Sequence, residues 1–245
     1  ILRAVQGSKV DSLRLIFAGA EKVPDELFAQ VEILTGATIL EGYGITECSP
    51  ALTINRVGSA RAGVGHPIGD VEIHIVNPET REPIAQGENG LILVRGTNIF
   101  NGYLGRDSSA AFHTKNGESW YITGDLGHLD PDGNLFLAGR MKRFIKVGGE
   151  MISLQAIEDA IETAVPCDEG ELNLALAYVE DDGTRPVMTL FNTFNTTVDA
   201  VNHILKDAGF SNLARVQHVR CIDEIPLLGT GKVDYRTLTA MLTSE

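Results

Sequence analysis

Cysteine is scarce in this chain of 245 residues, and the three present, Cys48, Cys167 and Cys221, lie far apart without a C-x-x-C spacing. Their odd number and their separation argue against a disulfide scaffold and against a structural zinc site. Unpaired cysteines of this kind are typical of a reducing compartment. We therefore expect a cytoplasmic protein, with any attachment to the inner face of the plasma membrane made by other parts of a longer parent protein.

Excess positive charge and long apolar runs are also lacking. The 20 Lys and Arg residues are outnumbered by 33 Asp and Glu residues, which gives a formal net charge of −13. This acidic balance argues against a nucleic-acid partner. No apolar run approaches the roughly 18 residues that a transmembrane helix needs, and the first residues lack a signal-peptide cleavage pattern. Because the chain starts without Met and soon enters an apolar run, we expect it to be a fragment of a longer protein.

Several signatures of catalytic sites are absent. The six His residues show no H-E-x-x-H or other metal-ligand spacing, and no G-x-S-x-G segment occurs. A histidine metal site and a serine-hydrolase nucleophile are therefore not predicted.

The start of the chain contains alternating strand and helix patterns. Residues 13–18 predict a strand covered on both faces. Pro24 occupies the first-turn position of a predicted helix, whose apolar residues recur at helical spacing until Gly36. A second short strand over residues 37–40 completes one βαβ step of a mostly parallel sheet.

The middle of the chain changes from a helical period to a period of two. Alternating runs at 71–76 and 91–95, with Gly and Pro clusters between runs, predict a β module built as a small barrel or sandwich. The basic residues at 139–143 then predict a non-helical linker.

Beyond the linker the pattern is that of an α+β domain. Ser153 is expected to cap a helix, residues 172–179 and 187–191 are expected to pair as strands, and residues 198–208 predict a second helix. The fold class is therefore mixed α/β and α+β in several domains. The predicted division is residues 1–57 as a remnant of a large parallel α/β domain, 58–139 as a β-barrel-like module, 140–142 as a hinge, and 143–245 as a small C-terminal α+β domain.

The segment Glu41-Gly42-Tyr43-Gly44-Ile45-Thr46-Glu47 is expected to form a turn after a parallel strand, at the edge where open α/β sheets bind ligands. Its glycines would let the backbone approach a ligand closely, and its aromatic ring could stack on a flat ring. The hydroxyl of Thr46 and the carboxylate of Glu47 suit a phosphate and a hard cation such as Mg²⁺. From the motif alone, a tight turn whose Tyr43 packs in the core is an equal alternative.

Asp125 and Lys232 are two further candidates, each with an ordinary alternative. Asp125 follows Gly124 near a predicted strand end, where a carboxylate can accept two hydrogen bonds from a ribose diol, but it is also a normal turn residue. Lys232 ends a glycine-rich turn that is not a phosphate loop, because Pro226 and Val233 stand where that loop needs Gly and Ser or Thr. A lysine on such a turn could be delivered to a site, or it could simply be exposed.

Five sequence segments follow one another along the chain and include the candidate residues named above. They are GYGITE at 42–47, GENGLILVRG at 87–96, YITGDL at 121–126, GRMKRFIKVGGEMI at 139–152 and PLLGTGKVD at 226–234. Together they resemble the adenylate-forming superfamily of acyl- and aryl-coenzyme A synthetases, luciferases and peptide-synthetase adenylation domains. Segments 19–24, 142–154 and 226–235 look most like acyl-[acyl-carrier-protein] synthetases, including the synthetase part of bacterial bifunctional 2-acylglycerophosphoethanolamine acyltransferases.

The resemblance implies a two-step ligase. A fatty acid or other carboxylic acid reacts with ATP and Mg²⁺ to give acyl-AMP and pyrophosphate, and the thiol of acyl-carrier protein then takes the acyl group and releases AMP, feeding lysophospholipid reacylation. Coenzyme A is the alternative thiol acceptor. A non-catalytic nucleotide- or carrier-protein-binding module is the alternative from another class.

The resemblance also implies residue roles. Residues Gly19, Ala20 and Glu21 would line the nucleotide and acyl pocket. Tyr43, in one segment with Gly44, would stack on adenine, while Asp125, helped by Arg140, would bind the ribose. The remaining roles are phosphate contact by Thr46, Mg²⁺ binding by Glu47, a hinge at Lys142, a loop facing the thioester site at Gly149, and the adenylation lysine at Lys232.

The chain also departs from the family pattern. The Ser/Thr/Gly-rich phosphate loop and the first half of the large domain, which precede these motifs in the family, are missing, and Met151 and Ala156 replace the usual Arg and Glu. The missing N-terminal part of the same protein is therefore an expected partner. We expect the fragment alone to bind ATP weakly and to be inactive.

Overall fold

The structure, a computed structural model, describes residues 12–105, 107–165, 173–180 and 185–243. Cys167 and the first residue of the strand predicted over 172–179 lie outside these ranges. The chain divides into two compact units, Ile1–Met141 and Lys142–Glu245. Within the described ranges, no helix is both long enough and apolar enough to cross a membrane. The predicted mixed α/β fold class is confirmed.

The first unit begins with a four-stranded sheet of order β1-β2-β3-β4. Its elements are β1 Leu15–Ala18, helix α1 Asp25–Thr35, β2 Thr38–Gly44, a 3-10 turn Thr46–Cys48, β3 Ala51–Ile54 and β4 His66–Pro67. Only β1 and β2 are parallel, while β3 pairs antiparallel with both β2 and β4. The expected βαβ step is present, but this sheet is not mostly parallel.

The predicted helix α1 is present with small changes at its ends. Pro24 occupies the N-cap position rather than the first turn, and Gly36 ends the helix with φ 68°, a left-handed conformation that glycine adopts without steric cost. Strand β1 is not covered on both faces as expected, because Phe17 is 67% exposed.

A curled five-stranded sheet forms the rest of the first unit. Its strands are β5 Glu72–Val76, β6 Gly90–Arg95, β7 Phe112–Lys115, β8 Glu118–Leu129 and β9 Leu135–Arg140, and a 3-10 turn spans Ser109–Ala111. Every pair is antiparallel, in the order β5-β6-β8-β7, with β9 also paired to β8. Burial alternates over residues 72–75 of β5, as the period of two predicts, whereas β6 is buried at every residue from Gly90 to Val94. The sheet buries Ile92, Val94, Tyr121 and Leu135. These side chains share one core cluster with Tyr43 and Leu52 of the four-stranded sheet. The predicted domain boundary after residue 57 stays a prediction.

The second unit is the α+β part. It contains β10 Phe144–Val147, β11 Glu150–Ser153, α2 Leu154–Ala164, β12 Leu174–Glu180, β13 Pro186–Asn192, α3 Val198–Asp207, β14 His218–Cys221 and α4 Tyr235–Thr243. Strands β12 and β13 pair, as predicted, and their pairing is antiparallel, while β14 pairs parallel with β13. The Ser153 hydroxyl accepts a hydrogen bond from the Ala156 amide at 3.1 Å, so the predicted helix cap is confirmed.

The basic segment 139–143 is more regular than the linker that the sequence predicts. Strand β9 continues to Arg140 because its backbone pairs with Asp125 on β8. A 3-10 turn, Met141–Arg143, follows immediately. Lys142 therefore lies in the middle of a helical turn, not in a non-helical linker.

Candidate functional site

The segment Gly42-Tyr43-Gly44 lies inside β2 and not in a turn. A Cβ on Gly42 would lie 2.6 Å from the Thr53 carbonyl oxygen, and one on Gly44 would collide with the Pro50 carbonyl oxygen. Real Cβ atoms do not approach a carbonyl oxygen so closely. The two glycines therefore admit the neighbouring backbone of this protein, and their close approach to a ligand stays a prediction.

Tyr43 and Asp125 meet in the interior of the first unit. The Tyr43 hydroxyl donates a hydrogen bond to Asp125 Oδ2 at 2.5 Å, and the two residues are 8% and 7% exposed. Burial, followed by the negative charge of Asp125, raises the pKa of the Tyr43 hydroxyl well above its ordinary value. Tyr43 is therefore a permanent proton donor to this carboxylate. Its packing in the core agrees with the alternative given for it, and its contact with adenine stays a proposal.

Asp125 lies within β8 and not at a strand end. Gly124, with φ 75°, turns the backbone just before it, and the Thr123 hydroxyl oxygen accepts a 3.0 Å hydrogen bond from the Asp125 amide. Across the strand pair, Arg140 Nε lies 3.4 Å from Asp125 Oδ1, while the Arg140 side chain is 66% exposed. A carboxylate and a guanidinium, which the sequence places 15 positions apart, are thus neighbours.

The environment of Asp125 favours its neutral form more than water does. Burial is the largest cause and raises the pKa of this carboxyl, the negative charge of Glu47 raises it further, and the Tyr43 hydrogen bond and Arg140 oppose the rise. A buried acid between a donor and a cation is the kind of group that functional sites use to hold polar ligands.

Glu47 is positioned by an aromatic group on a neighbouring loop. The Tyr103 hydroxyl donates a 2.7 Å hydrogen bond to Glu47 Oε1, and the Glu47 carbonyl oxygen accepts the Phe100 amide at 2.8 Å. Phe100 packs against Tyr103 and Tyr121, with ring centroids 4.9 and 5.1 Å apart. Burial, followed by the hydrogen bond with Tyr103, raises the pKa of Tyr121. Sequence reasoning missed Tyr103, although its aromatic ring in a glycine-rich loop was a usable signal.

The groups around Glu47 fit Mg²⁺ only if water and substrate phosphates supply its other ligands. Within the described ranges, no group of three or more His, Cys, Asp or Glu side chains could hold a metal. Mg²⁺ commonly uses one or two carboxylates, several waters and substrate phosphates. Glu47, with the exposed hydroxyl of Thr46 beside it in sequence, suits such a partial coordination.

The predicted pocket residues Gly19, Ala20 and Glu21 form an exposed turn after β1. Ala20 has φ 72°, a left-handed conformation that a residue with a Cβ adopts at a steric cost. A Cβ on Gly19 would lie 3.2 Å from the Gly42 carbonyl oxygen. This turn therefore passes close to the backbone of the Tyr43 segment.

A buried carboxylate that the sequence reasoning missed holds the same turn in place. Glu41 is 6% exposed, and its Oε1 accepts the Val23 amide at 3.0 Å. Arg61 pairs with Glu41 Oε2 at 3.4 Å, pairs also with Asp25, and covers the Phe28 ring at 4.2 Å. Sequence reasoning placed Glu41 in a turn after residues 37–40, so its need for a partner follows only from the observed strand, Thr38–Gly44, which buries it.

The remaining predicted residues lie on separate turns of the second unit. Gly148 and Gly149 join β10 to β11 with φ 59° and 90°, the positive values that a two-residue hairpin turn requires. Lys232 is exposed on a loop that closes on itself, because the Leu228 amide donates to the Lys232 carbonyl oxygen at 2.7 Å and Leu227 pairs with Val233.

The chain is similar to known proteins over most of its length. The model of the family described as AMP-binding enzyme matches residues 2–104. A 4-coumarate-CoA ligase 1 of Narcissus pseudonarcissus is 29% identical over 99% of this chain and 45% of its own length. A long-chain-fatty-acid–CoA ligase of Bacillus subtilis is 31% identical over 96% of this chain and 42% of its own length.

The chain is also similar to a solved structure. The crystal structure of ATP-bound MatB from Rhodopseudomonas palustris is 26% identical and superposes with a TM-score of 0.76, covering 94% of this chain and 46% of that chain. The chain thus spans less than half the length of these three proteins. The family model and the relatives together support the assignment of this chain to the AMP-binding enzyme family of the adenylate-forming superfamily.

Proposed function

We propose that this chain carries the adenosine-binding and adenylation-lysine portion of an ATP-dependent acid–thiol ligase. In the first step a carboxylic acid displaces pyrophosphate from ATP and forms acyl-AMP. In the second step a thiol takes the acyl group and AMP leaves. The observation that carries the proposal is the Tyr43–Asp125–Arg140 cluster. The resemblance assigns all three residues to the adenosine part of ATP, and in the structure both Tyr43 and Arg140 contact the Asp125 carboxylate.

The cluster is suited to a nucleoside. Among the described residues, Tyr43 bonds one carboxylate oxygen of Asp125 and Arg140 lies beside the other. Since an ionised carboxylate has about four lone-pair sites, both oxygens can still accept a ribose hydroxyl. The bond from its hydroxyl fixes the orientation of the Tyr43 ring, and the exposed Arg140 guanidinium lies beside the carboxylate. This supports Asp125 as the ribose ligand, with Arg140 assisting and Tyr43 contacting adenine beside Gly44.

The phosphates would extend from the adenosine toward the 3-10 turn. Glu47 and Thr46 would hold Mg²⁺ and a phosphate oxygen there, and the ion would supply neutralisation of the charge on the phosphates. The turn Gly19-Ala20-Glu21, held by Glu41 and Arg61, would form the wall next to the acyl group. Its strained Ala20 is consistent with a turn whose shape is fixed by function.

The second unit would supply the movable groups. Lys232, exposed on a closed loop, would place an ammonium against the α-phosphate, where negative charge grows as the carboxylate attacks. Lys142 would be the hinge. Between the two steps, rotation about it would withdraw Lys232 from the reacting group and bring the Gly149 turn there. These assignments, like the division of the chain into domains, rest on the motif resemblance.

The thiol acceptor has two candidates with different support. The segments at 19–24, 142–154 and 226–235 favour acyl-carrier protein, whereas the relatives carry names of CoA ligases. An assay that supplies one acyl-adenylate and equal concentrations of the two thiols would decide between them. Faster thioester formation with acyl-carrier protein supports the first, and faster formation with coenzyme A supports the second.

The test of the ligase proposal is carboxylate-dependent exchange of pyrophosphate into ATP by the protein that contains this chain. We expect Asp125→Ala to lower kcat/KM for ATP by 10²-fold or more, while Asp132→Ala, an exposed acid on the turn after the same strand, leaves it unchanged. Exchange that does not depend on Asp125, or no exchange with any acid from short to long chain, would refute the proposal.

A further inference from the structure

The second unit contains a buried ion pair that has no part in the site described above. Arg143 Nη2 lies 2.6 Å from Glu158 Oε1, and the two side chains are 13% and 4% exposed. Burial raises the pKa of the Glu158 carboxyl, while Arg143 and the Leu176 amide oppose the rise. Charges removed from water in this way are costly unless several partners hold them in one geometry.

Tyr235 and the backbone of β12 complete the network. The Arg143 guanidinium lies over the Tyr235 ring at 3.9 Å, and the Tyr235 hydroxyl donates toward both Glu158 oxygens at 3.3 Å. The Leu176 amide donates to Glu158 Oε1 at 2.6 Å, and its carbonyl oxygen accepts from Arg143 Nη1 at 2.7 Å. The Glu158 carboxylate on α2 thus contacts the 3-10 turn Met141–Arg143, β12 and the first residue of α4.

Both ends of this network adjoin residues to which the proposed function gives a role. Arg143 directly follows Lys142. Tyr235 follows the closed loop 226–234, whose base is fastened by the Asp234 amide bonding to the Pro226 carbonyl oxygen at 2.8 Å. Since the loop returns to the body of the unit at Tyr235, the placement of that ring sets the placement of Lys232.

We propose that Glu158 is a positioning residue, which acts through Tyr235 to hold the Lys232 loop and through Arg143 to hold the Lys142 turn against one buried carboxylate. The inference rests on the proposed role of Lys232, but it assigns Glu158, Arg143 and Tyr235 a task that the motif resemblance does not give them. An apolar contact could pack the same elements. A shared carboxylate also fixes the direction of the Tyr235 ring and hydroxyl, and therefore the geometry of the loop.

The mechanical part is tested by hydrogen exchange of the second unit in the whole protein. In Tyr235→Leu we expect the amides of Leu228, Gly231 and Asp234 to exchange at least tenfold faster, and in Tyr235→Phe, which keeps the ring over Arg143, by a smaller factor. The amide of Leu190 in β13 reports whether the fold is kept. Tyr178→Leu, which changes a half-buried tyrosine outside the network, should leave the exchange of the loop unchanged.

The kinetic part separates positioning from general damage. In Tyr235→Phe and Glu158→Gln we expect kcat of pyrophosphate exchange to fall about tenfold with KM for ATP unchanged. The adenosine contacts proposed above lie in the first unit, and Lys232 acts on charge that grows only as the carboxylate attacks. Unchanged loop exchange in Tyr235→Leu, or loop exchange that rises without any fall in kcat, would overturn the inference. Absence of pyrophosphate exchange in the wild-type protein would instead refute the proposed function, and the hydrogen exchange would still decide how the loop is held.

Discussion

Replacing Tyr43 by Phe removes one hydroxyl from the interior of the first unit and leaves the aromatic ring in place. The lost bond is the 2.5 Å hydrogen bond to Asp125 Oδ2, in a region where both side chains are less than 10% exposed. Asp125 would keep only Arg140, at 3.4 Å and largely in solvent. A hydrogen bond to a charged group contributes about 1.5–3 kcal/mol, so we expect a destabilisation of about 2 kcal/mol at neutral pH.

The loss should depend on pH. Because burial holds the pKa of Asp125 above 3.8 in the folded state, ionisation of this group lowers the free energy of unfolding as the pH rises from that value through the folded-state pKa. The Tyr43 hydroxyl opposes this by stabilising the charged form. The difference between wild type and Tyr43→Phe should therefore be largest at pH 7 and shrink as the pH falls through the folded-state pKa of Asp125.

The single tryptophan makes the measurement specific to the first unit. Trp120 belongs to the first unit and is 2% exposed, so its fluorescence during urea unfolding reports on that unit. In an Asp125→Asn background the cost of Tyr43→Phe should fall to about 1 kcal/mol, the value of a neutral hydrogen bond. Tyr103→Phe, which removes the bond from a 44% exposed tyrosine to the Glu47 carboxylate, serves as the control for a tyrosine–carboxylate bond outside the core and should cost less. A loss below about 0.5 kcal/mol at pH 7, or one equal in both backgrounds, would refute the reasoning.

Three further predictions concern the first unit and the cysteines. Ala20→Gly should raise the free energy of unfolding by about 0.5 kcal/mol in the same fluorescence assay, because relief of the left-handed strain exceeds the entropy that glycine adds to the unfolded chain; a destabilisation would contradict it. Glu41→Ala should cost about 2 kcal/mol, since the buried Val23 amide loses its acceptor, and an effect within 0.5 kcal/mol of zero, no larger than that of an ordinary surface substitution, would be inconsistent with that. Burial raises the pKa of Cys48 to about 12, so a thiol reagent at pH 8 should label the exposed Cys221 and leave Cys48 unlabelled until urea is added, as peptide mass mapping can show.

Local patterns predicted much of the secondary structure. The helix before Gly36, the cap at Ser153 and the strand pair 174–180 with 186–192 follow from short-range periodicity and capping chemistry, and all are present. The segment at Gly42 and Gly44 was expected to be a turn, because glycine is a common turn residue. It is a strand because those glycines admit the backbone of residues 50–54, a long-range pairing that composition does not reveal.

The networks around buried charges were harder to predict than the elements. Glu158 occupies a position on the apolar face of α2, between Ile157 and Ile161, and the helical spacing marks it as buried. Its partner Arg143 is 15 positions away and its partner Tyr235 is 77 positions away, so only the fold identifies them. The same holds for Asp125, whose bond to Tyr43 spans 82 positions.

The central claim is that Lys232 belongs to the first of two half-reactions and Lys142 to the change between them. The most direct test measures both half-reactions separately in the protein that contains this chain, with Lys206→Ala, an exposed lysine of α3, as the control. We expect Lys232→Ala to lower acyl-adenylate formation by 10²-fold or more and to spare thioester formation from supplied acyl-adenylate. Lys142→Pro, whose φ near −65° suits the 3-10 turn but resists rotation, should keep adenylation and slow transfer. Equal loss of both half-reactions in each variant, or no loss in either, would contradict the account.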